Sequence, residues 1–278
     1  MDEIILNSPA KINFGLNIIA KRPDGYHNIE TIFYPVKLCD EIIIKKSDSI
    51  SFKSNIESLL PGEDNLIIKA ANLLRKHVKK ELIADIILKK NIPIGAGLGG
   101  GSSNAASIID GLNVLFNLNL AEQDLFNLAI KLGSDVPFFL DPKPKFAEGK
   151  GEVLNEIDFD INLPILIINP GIHVSTPWAY SRIIPKKPGK KLSSIIADGF
   201  KSFSELRGVV TNDFEKVIFE KFPEIGEIKD TLYSSGAEFA LMTGSGSTLF
   251  GIFPDILKAE KAEQIFSEKY FTFINKEV

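Results

Sequence analysis

Residues 93–106 read PIGAGLGGGSSNAA, and the reading of this stretch decides the fold. Five of the seven positions from 95 to 101 are glycine. In ordered structure each costs roughly 0.5–1 kcal/mol of conformational entropy relative to alanine, an expense that a plain connector into a helix does not need. Gly95-Ala96-Gly97-Leu98-Gly99-Gly100 satisfies the G-x-G-x-x-G dinucleotide fingerprint. That fingerprint requires a strand running straight into the glycines and an acid about 20 residues later, at the end of the next strand. Here Pro93 interrupts the approach, and the segment 20 residues on, NLNLAEQDLFN, reads as helix and loop. A polyphosphate fits better. Consecutive glycines let several backbone N–H groups converge on an anion. Ser102 or Ser103 stands at the expected N-cap of the following helix, whose positive dipole end faces the same space. Their hydroxyls can bind a phosphate oxygen or a metal held by it. No G-x-x-x-x-G-K-[ST] is present, so a lysine has to come from elsewhere.

Outward from this loop the periodicity alternates. The first 55 residues run through EIILN, KINFGLNII, NIETIFYPVKL, DEIIIKK and SISFKS, broken by turn chemistry such as Pro23-Asp24-Gly25, and predict antiparallel strands. A helix is expected from Asp64-Asn65, with Ile67, Ala70, Ala71, Leu74 and Val78 on one face, then a strand at LIADIILKK. After the glycines, Ala105, Ile108, Ile109, Leu112, Leu115 and Phe116 mark a helix. Leu125, Leu128, Ala129 and Leu132 mark another, which Gly133 stops. A strand at LPILIINP restarts the pattern. Helices are then expected around 176–183, 192–206 and 212–234, strands at AEFALMT and TLFGIF, a helix from DILKAEKAEQIF and a closing strand FTFIN. The fold class is α+β, with a C-terminal half of ferredoxin-like type.

Composition narrows the function. The chain has 278 residues, enough for two domains, and a formal net charge of −4. Its only arginines, Arg22, Arg75, Arg182 and Arg207, are scattered, so no nucleic-acid partner is expected. Cys39 is alone, which excludes an internal disulfide and a multi-cysteine metal site. MDEIILNSPAK carries no basic leader pattern and no apolar run approaches about 20 residues, so no membrane is expected and a cytoplasmic location is. Oligomeric state is not legible.

The order SPAKINFGLNI, PIGAGLGGGSSNAA, MTGSGSTLFGIF resembles the three motifs of the GHMP kinase superfamily, with matches from residue 8 to 253. The resemblance implies a two-domain GHMP kinase fold: an S5-like N-terminal domain over 1–156 and a ferredoxin-like C-terminal domain over 157–278, the active site between them. It implies ATP and Mg2+ as cofactors. For ATP it implies the loop Pro93, Gly95, Gly97, Leu98, Gly99, Gly100, Gly101, Ser102, Ser103 and Asn104 at the phosphates, with Asn65 and Lys90 near adenine and ribose. It assigns no protein side chain to the metal, Ser103 excepted as a possibility.

KRPDGYHNIETIFYPV, GSDVPFFL, AEGKGE and TNDFE are similar to one branch of that superfamily, whose acceptor is a methylerythritol linked to cytidine diphosphate. Phosphorylation of its tertiary 2-hydroxyl is then implied. Asp135 matches the catalytic aspartate, as general base or orienting group, and Lys11 the lysine that stabilises developing charge. Tyr26, Phe33 and Tyr180 match the positions around the base, and His27 its edge reader. Thr176 and Asn13 match substrate contacts, and Gly244 and Gly246 support loop and substrate from the third motif. Thr243 stands where serine is common. Two alternatives remain: a kinase of the same superfamily acting on homoserine, mevalonate or a sugar, and a nucleotide-binding protein without transfer activity. The aromatics around His27 weigh against the first, because a small aliphatic alcohol offers no ring to stack. Retention of Lys11 and Asp135 weighs against the second.

Overall fold

The computed structural model describes residues 2–57, 59, 62 and 65–276. Two long strands open the chain, β1 (Glu3–Lys21) and β2 (His27–Lys46), which pair with each other. The sequence reading broke each into shorter runs. The reason is burial. From Ala10 to Leu16 every residue of β1 is buried, so the alternation that marks a half-exposed strand disappears while the strand continues.

The chain forms two compact units, each assembled from separated stretches. The first comprises Met1–Ala10, Val36–Ile94 and Gly99–Pro142. In it the end of β2 pairs antiparallel with β4 (Ala84–Lys89), which pairs parallel with β3 (Ser51–Ser54). The unit's helices are α1 (Leu66–Val78), α2 (Gly100–Leu115), α3 (Glu122–Leu132) and a short 3₁₀ turn, Val136–Leu140, which pack on one another. Asn65 caps α1, its Oδ1 accepting from Ile67 N at 3.0 Å, and Ile67, Ala70, Ala71 and Leu74 are buried as the periodicity predicts. Asp64, read beside it, lies outside the described residues. Gly133 ends α3, its N–H donating to Ala129 O.

The start of α2 corrects the sequence reading. The helix begins at Gly100, and its N-cap is Gly99 in the left-handed region (φ 71°) rather than Ser102 or Ser103. Both serines lie inside the first turn. No side chain caps this end, so its first backbone amides stay available to an anion.

The second unit comprises Lys11–Pro35, Gly95–Leu98 and Lys143–Val278. The first half of β2 pairs with β5 (Lys145–Glu148), which forms a hairpin with β6 (Val153–Glu156). These two strands were not anticipated. A separate antiparallel sheet has the order β10-β7-β9-β8, from β7 (Ile165–Asn169), β8 (Phe239–Met242), β9 (Leu249–Ile252) and β10 (Phe271–Asn275). That order, with helices between its first and second and its third and fourth strands, is the expected ferredoxin-like topology.

The helices of this unit are α4 (Thr176–Arg182), α5 (Leu192–Ala197), α6 (Glu215–Lys221), α7 (Pro223–Ser234) and α8 (Ile256–Phe266). Two expected long helices are broken. The stretch 192–206 becomes α5 and a 3₁₀ turn (Phe203–Leu206), separated at Gly199 (φ 75°), and 212–234 splits where Phe222 precedes Pro223. One apolar core joins Leu16, Ile18 and Ile29 to Leu166, Ile168, Phe214, Ile218, Leu249 and Phe266. Among the described residues, no helix is long and apolar enough to cross a membrane.

Candidate active site

In the second unit the site is built on β1. Residues two apart on a strand share a face, so Lys11 and Asn13 meet: Lys11 Nζ donates to Asn13 Oδ1 at 2.5 Å. It also donates to Gly97 O at 3.3 Å, and its N–H donates to Leu98 O at 3.0 Å. The ammonium lies 5.1 Å from the centroid of the Phe33 ring, which is 1% exposed. Phe33 is therefore a buried floor under the lysine, where low dielectric strengthens the field of the charge. Asn13 Nδ2 donates to Thr31 Oγ1 at 3.0 Å, and Asn13 N donates to Thr243 Oγ1 at 2.8 Å. The hydroxyl of Thr243 thus holds the strand that carries the lysine.

Two glycine turns meet here. Gly97 has φ 79°, and a Cβ on it would run into the Thr243 carbonyl oxygen; Gly244 sits directly against Gly97. Only bare backbone lets residues 95–98 and 243–246 approach this closely. Thr176 Oγ1 and Ser245 Oγ are 2.9 Å apart, which places the start of α4 beside the same turn.

An aromatic pair completes this half. His27 stacks on Tyr180 at 4.9 Å with 24° between the rings, and Tyr180 packs on Phe214 with centroids 4.9 Å apart and the rings at 86°. Burial holds the His27 imidazolium below its usual pKa, and the charge of Lys21 lowers it further. Tyr26 is 57% exposed, with Lys150 Nζ over its ring at 4.5 Å.

The first unit holds the other expected residues. Lys90 pairs with Asp40 in the interior, and Asp40 also accepts from Asn91 N at 2.8 Å, Ile92 N at 2.9 Å and Asn104 Nδ2 at 2.8 Å. Burial lowers the Lys90 pKa, and Asp40 opposes that shift. Lys90 Nζ also fills the space a side chain at Gly100 would need. Its ammonium is thus a brace under the first turn of α2. Ser103 Oγ turns inward, 3.0 Å from Ser8 Oγ, which also takes a hydrogen bond from Asn104 Nδ2 at 3.2 Å. Asp135 precedes the 3₁₀ turn without capping it, so the ordinary capping explanation for an aspartate there does not apply. Among the described residues no three His, Cys, Asp or Glu converge as a metal cage.

The sequence reading missed Ser8, Asp40, Thr31 and Phe214. Asp40 in LCDEIII gives no signal, since its partners lie about fifty residues or more away. Phe214 had one, because TNDFE was already conspicuous.

Residues 65–141 match the model of the GHMP kinases N terminal domain, and residues 195–272 that of the GHMP kinases C terminal. The chain is 42% identical over 255 residues to the 4-diphosphocytidyl-2-C-methyl-D-erythritol kinase of Citrifermentans bemidjiense, covering 91% of this chain and 90% of that one. It is 41% identical over 276 residues to the enzyme of that name from Geobacter metallireducens, covering 99% and 98%. The chain belongs to this family of GHMP kinases. A crystal structure of 4-(cytidine 5'-diphospho)-2C-methyl-D-erythritol kinase matches it with a TM-score of 0.81 and 32% identity, covering 98% of both chains. As a member of the family the chain is an ATP-using kinase with the two-domain GHMP fold.

Proposed function

We propose that the chain transfers the γ-phosphoryl group of ATP to the 2-hydroxyl of 4-diphosphocytidyl-2-C-methyl-D-erythritol, a step of the non-mevalonate route to isoprenoid precursors. The observation that carries the choice of acceptor is the His27–Tyr180 stack in the unit that holds Lys11 and Asn13. A cytosine offers a π-face for Tyr180 and an amino-carbonyl edge for His27, which burial keeps neutral and able to donate from one nitrogen and accept at the other.

In the reaction the acceptor oxygen attacks the γ-phosphorus, the bond to the β-bridging oxygen breaks, and ADP leaves. Asp135 receives the hydroxyl proton or orients the hydroxyl that sheds it. Lys11, fixed by Asn13 and by the Gly97 carbonyl, offsets negative charge on the transferring group. The uncapped amides at Gly100 and Gly101 receive phosphate oxygens. Asn65 and Lys90, just past the end of β4, flank the nucleoside, with Pro93, Gly95, Leu98 and Ser102 shaping the loop. Thr176, Gly244 and Gly246 line the acceptor side, with Tyr26 and Phe33 near the base and the lysine. Magnesium brought by ATP would neutralise the polyphosphate charge. We also propose a cytoplasmic location, and a boundary between the two family halves at 156/157.

The test is ADP release with Mg-ATP against four acceptors: the cytidine-linked alcohol, cytidine-free methylerythritol phosphate, homoserine and mevalonate. Turnover with the first alone is expected. Turnover with homoserine or mevalonate instead would overturn the roles of His27 and Tyr180.

A further inference from the structure

The segment Thr211–Glu215, TNDFE, touches none of the reacting groups named above, yet Asn212 and Phe214 hold the Gly244 turn and Tyr180, and its other residues tie down the strands beside them. Thr211 O accepts from Leu16 N at 2.8 Å, and Asp213 N donates back to Leu16 O at 2.9 Å. Asp213 Oδ2 accepts from Ile18 N at 2.7 Å. The segment thereby fixes β1 just beyond Lys11 and Asn13. Asn212, 3% exposed, donates through Nδ2 to Met242 O at 2.7 Å and Gly244 O at 2.9 Å, while its Oδ1 accepts from Phe214 N at 2.9 Å. Both ends of this buried amide are used, so its orientation is fixed. Phe214, 1% exposed, packs at 86° against Tyr180, which stacks on His27. Glu215 Oε1 accepts from Met242 N at 2.9 Å, and Oε2 from Lys229 Nζ at 2.6 Å.

We propose that Thr211–Glu215 is the positioning element of the acceptor half-site: Asn212 sets the Gly244 turn, and Phe214, through Tyr180, sets selectivity for a cytidine-bearing acceptor. The inference rests on the functional reading above and deepens it. One buried carboxamide fixes a backbone turn by its donor end and the aromatic support by its acceptor end. Displacing Asn212 therefore disturbs both, whereas changing Phe214 disturbs only the base clamp. ATP should not register the change at Phe214, whereas the Gly244 turn lies against Gly97 of the phosphate loop, so the change at Asn212 reaches ATP as well.

The experiment compares wild type, Phe214→Leu and Asn212→Asp by kcat/KM for the cytidine-linked alcohol and for cytidine-free methylerythritol phosphate, with KM for ATP measured alongside. Phe214→Leu keeps an apolar core residue and removes the aromatic ring. Selectivity for the cytidine-linked acceptor should fall about three- to tenfold, the size of one aromatic pair, with KM for ATP within about twofold. Asn212→Asp is isosteric but turns a carboxylate toward two carbonyl oxygens. It should raise the acceptor KM at pH 8 and recover part of the loss near pH 6, where the acid protonates and donates. Unchanged selectivity in Phe214→Leu, or acceptor and ATP constants that worsen together in both variants, would reduce the segment to core structure and overturn the proposal. A wild type inert toward the cytidine-linked alcohol would remove the functional reading and this inference with it. An active wild type with unmoved selectivity in Phe214→Leu removes the inference alone.

Discussion

Lys11 Nζ donates a 2.5 Å hydrogen bond to Asn13 Oδ1, two residues further along one strand. The same asparagine donates its side-chain NH2 to Thr31 and its backbone N–H to Thr243. A flexible lysine is thus held at one point by an amide that is itself held at two others. The rotamer entropy of the lysine is spent in folding rather than in the reaction.

Replacing Lys11 by methionine keeps the apolar stem and removes the charge. We expect kcat to fall by about 10²–10³, the usual loss when one preorganised charge-stabilising group is deleted. Single-turnover rates with saturating ATP and acceptor measure this. A loss confined to KM would show instead that Lys11 binds substrate in its ground state.

Asp135→Asn should lower turnover by about 10²–10⁴ while binding of ATP and acceptor persists. Equilibrium dialysis of both ligands against the variant separates binding from chemistry. A variant turning over near the wild-type rate would remove Asp135 from the reaction.

Tyr180→Ala should weaken acceptor binding by roughly 1–3 kcal/mol, the range for loss of a base–aromatic stack. Titration calorimetry with the cytidine-linked alcohol, without ATP, gives the number directly. An unchanged dissociation constant would take Tyr180 out of the site.

Gly97→Ala combines a left-handed backbone with a Cβ aimed at the Thr243 carbonyl. The backbone conformation alone costs about 1–2 kcal/mol, and the contact adds to it. Urea unfolding should show at least that destabilisation. Gly25, with φ 85° but nothing within 4 Å of an added Cβ, is the control, since Gly25→Ala carries the conformational cost without the contact.

His27 gives a pH prediction. Its folded-state pKa is depressed, by burial first and Lys21 second, so the native state resists protonation more than the unfolded chain does. Its contribution to stability is full above the unfolded value of about 6.5 and is lost as pH falls through that value toward the lower folded one. The difference in unfolding free energy between wild type and His27→Gln should therefore change between about pH 7.5 and 5, to the disadvantage of wild type at the acid end. A pH-independent difference would contradict the shift, as would an NMR titration midpoint at or above 6.5.

Where a pattern is local, the sequence carried it. Asn65 at the head of α1, Gly133 at the end of α3 and the strand–loop–strand around Gly244 are all written within a few residues. The long strand β1 was harder, because alternation reports half-burial and Ala10–Leu16 is buried throughout. The start of α2 was misread because serine is a good N-cap in general, whereas here Ser103 bonds to Ser8, ninety-five residues earlier. Lys90 shows the same limit: its position is legible, but its partner Asp40 lies fifty residues away and turns the ammonium inward. The His27–Tyr180 stack joins residues 153 apart, and sequence spacing holds no trace of it.

The interleaving of the two units has a consequence for biosynthesis. All three stretches of the first unit lie before residue 143, whereas the second takes Lys11–Pro35 from the start of the chain and most of the rest from Lys143 onward. On the ribosome the first unit can be complete while Phe14, Leu16 and Ile18, fully or almost fully buried at the end, still wait for partners such as Leu166, Phe214 and Phe250. At about 5–20 residues per second, an interval of seconds separates the apolar strand from its core. During that time the strand bearing the lysine is an apolar segment without the core that later covers it.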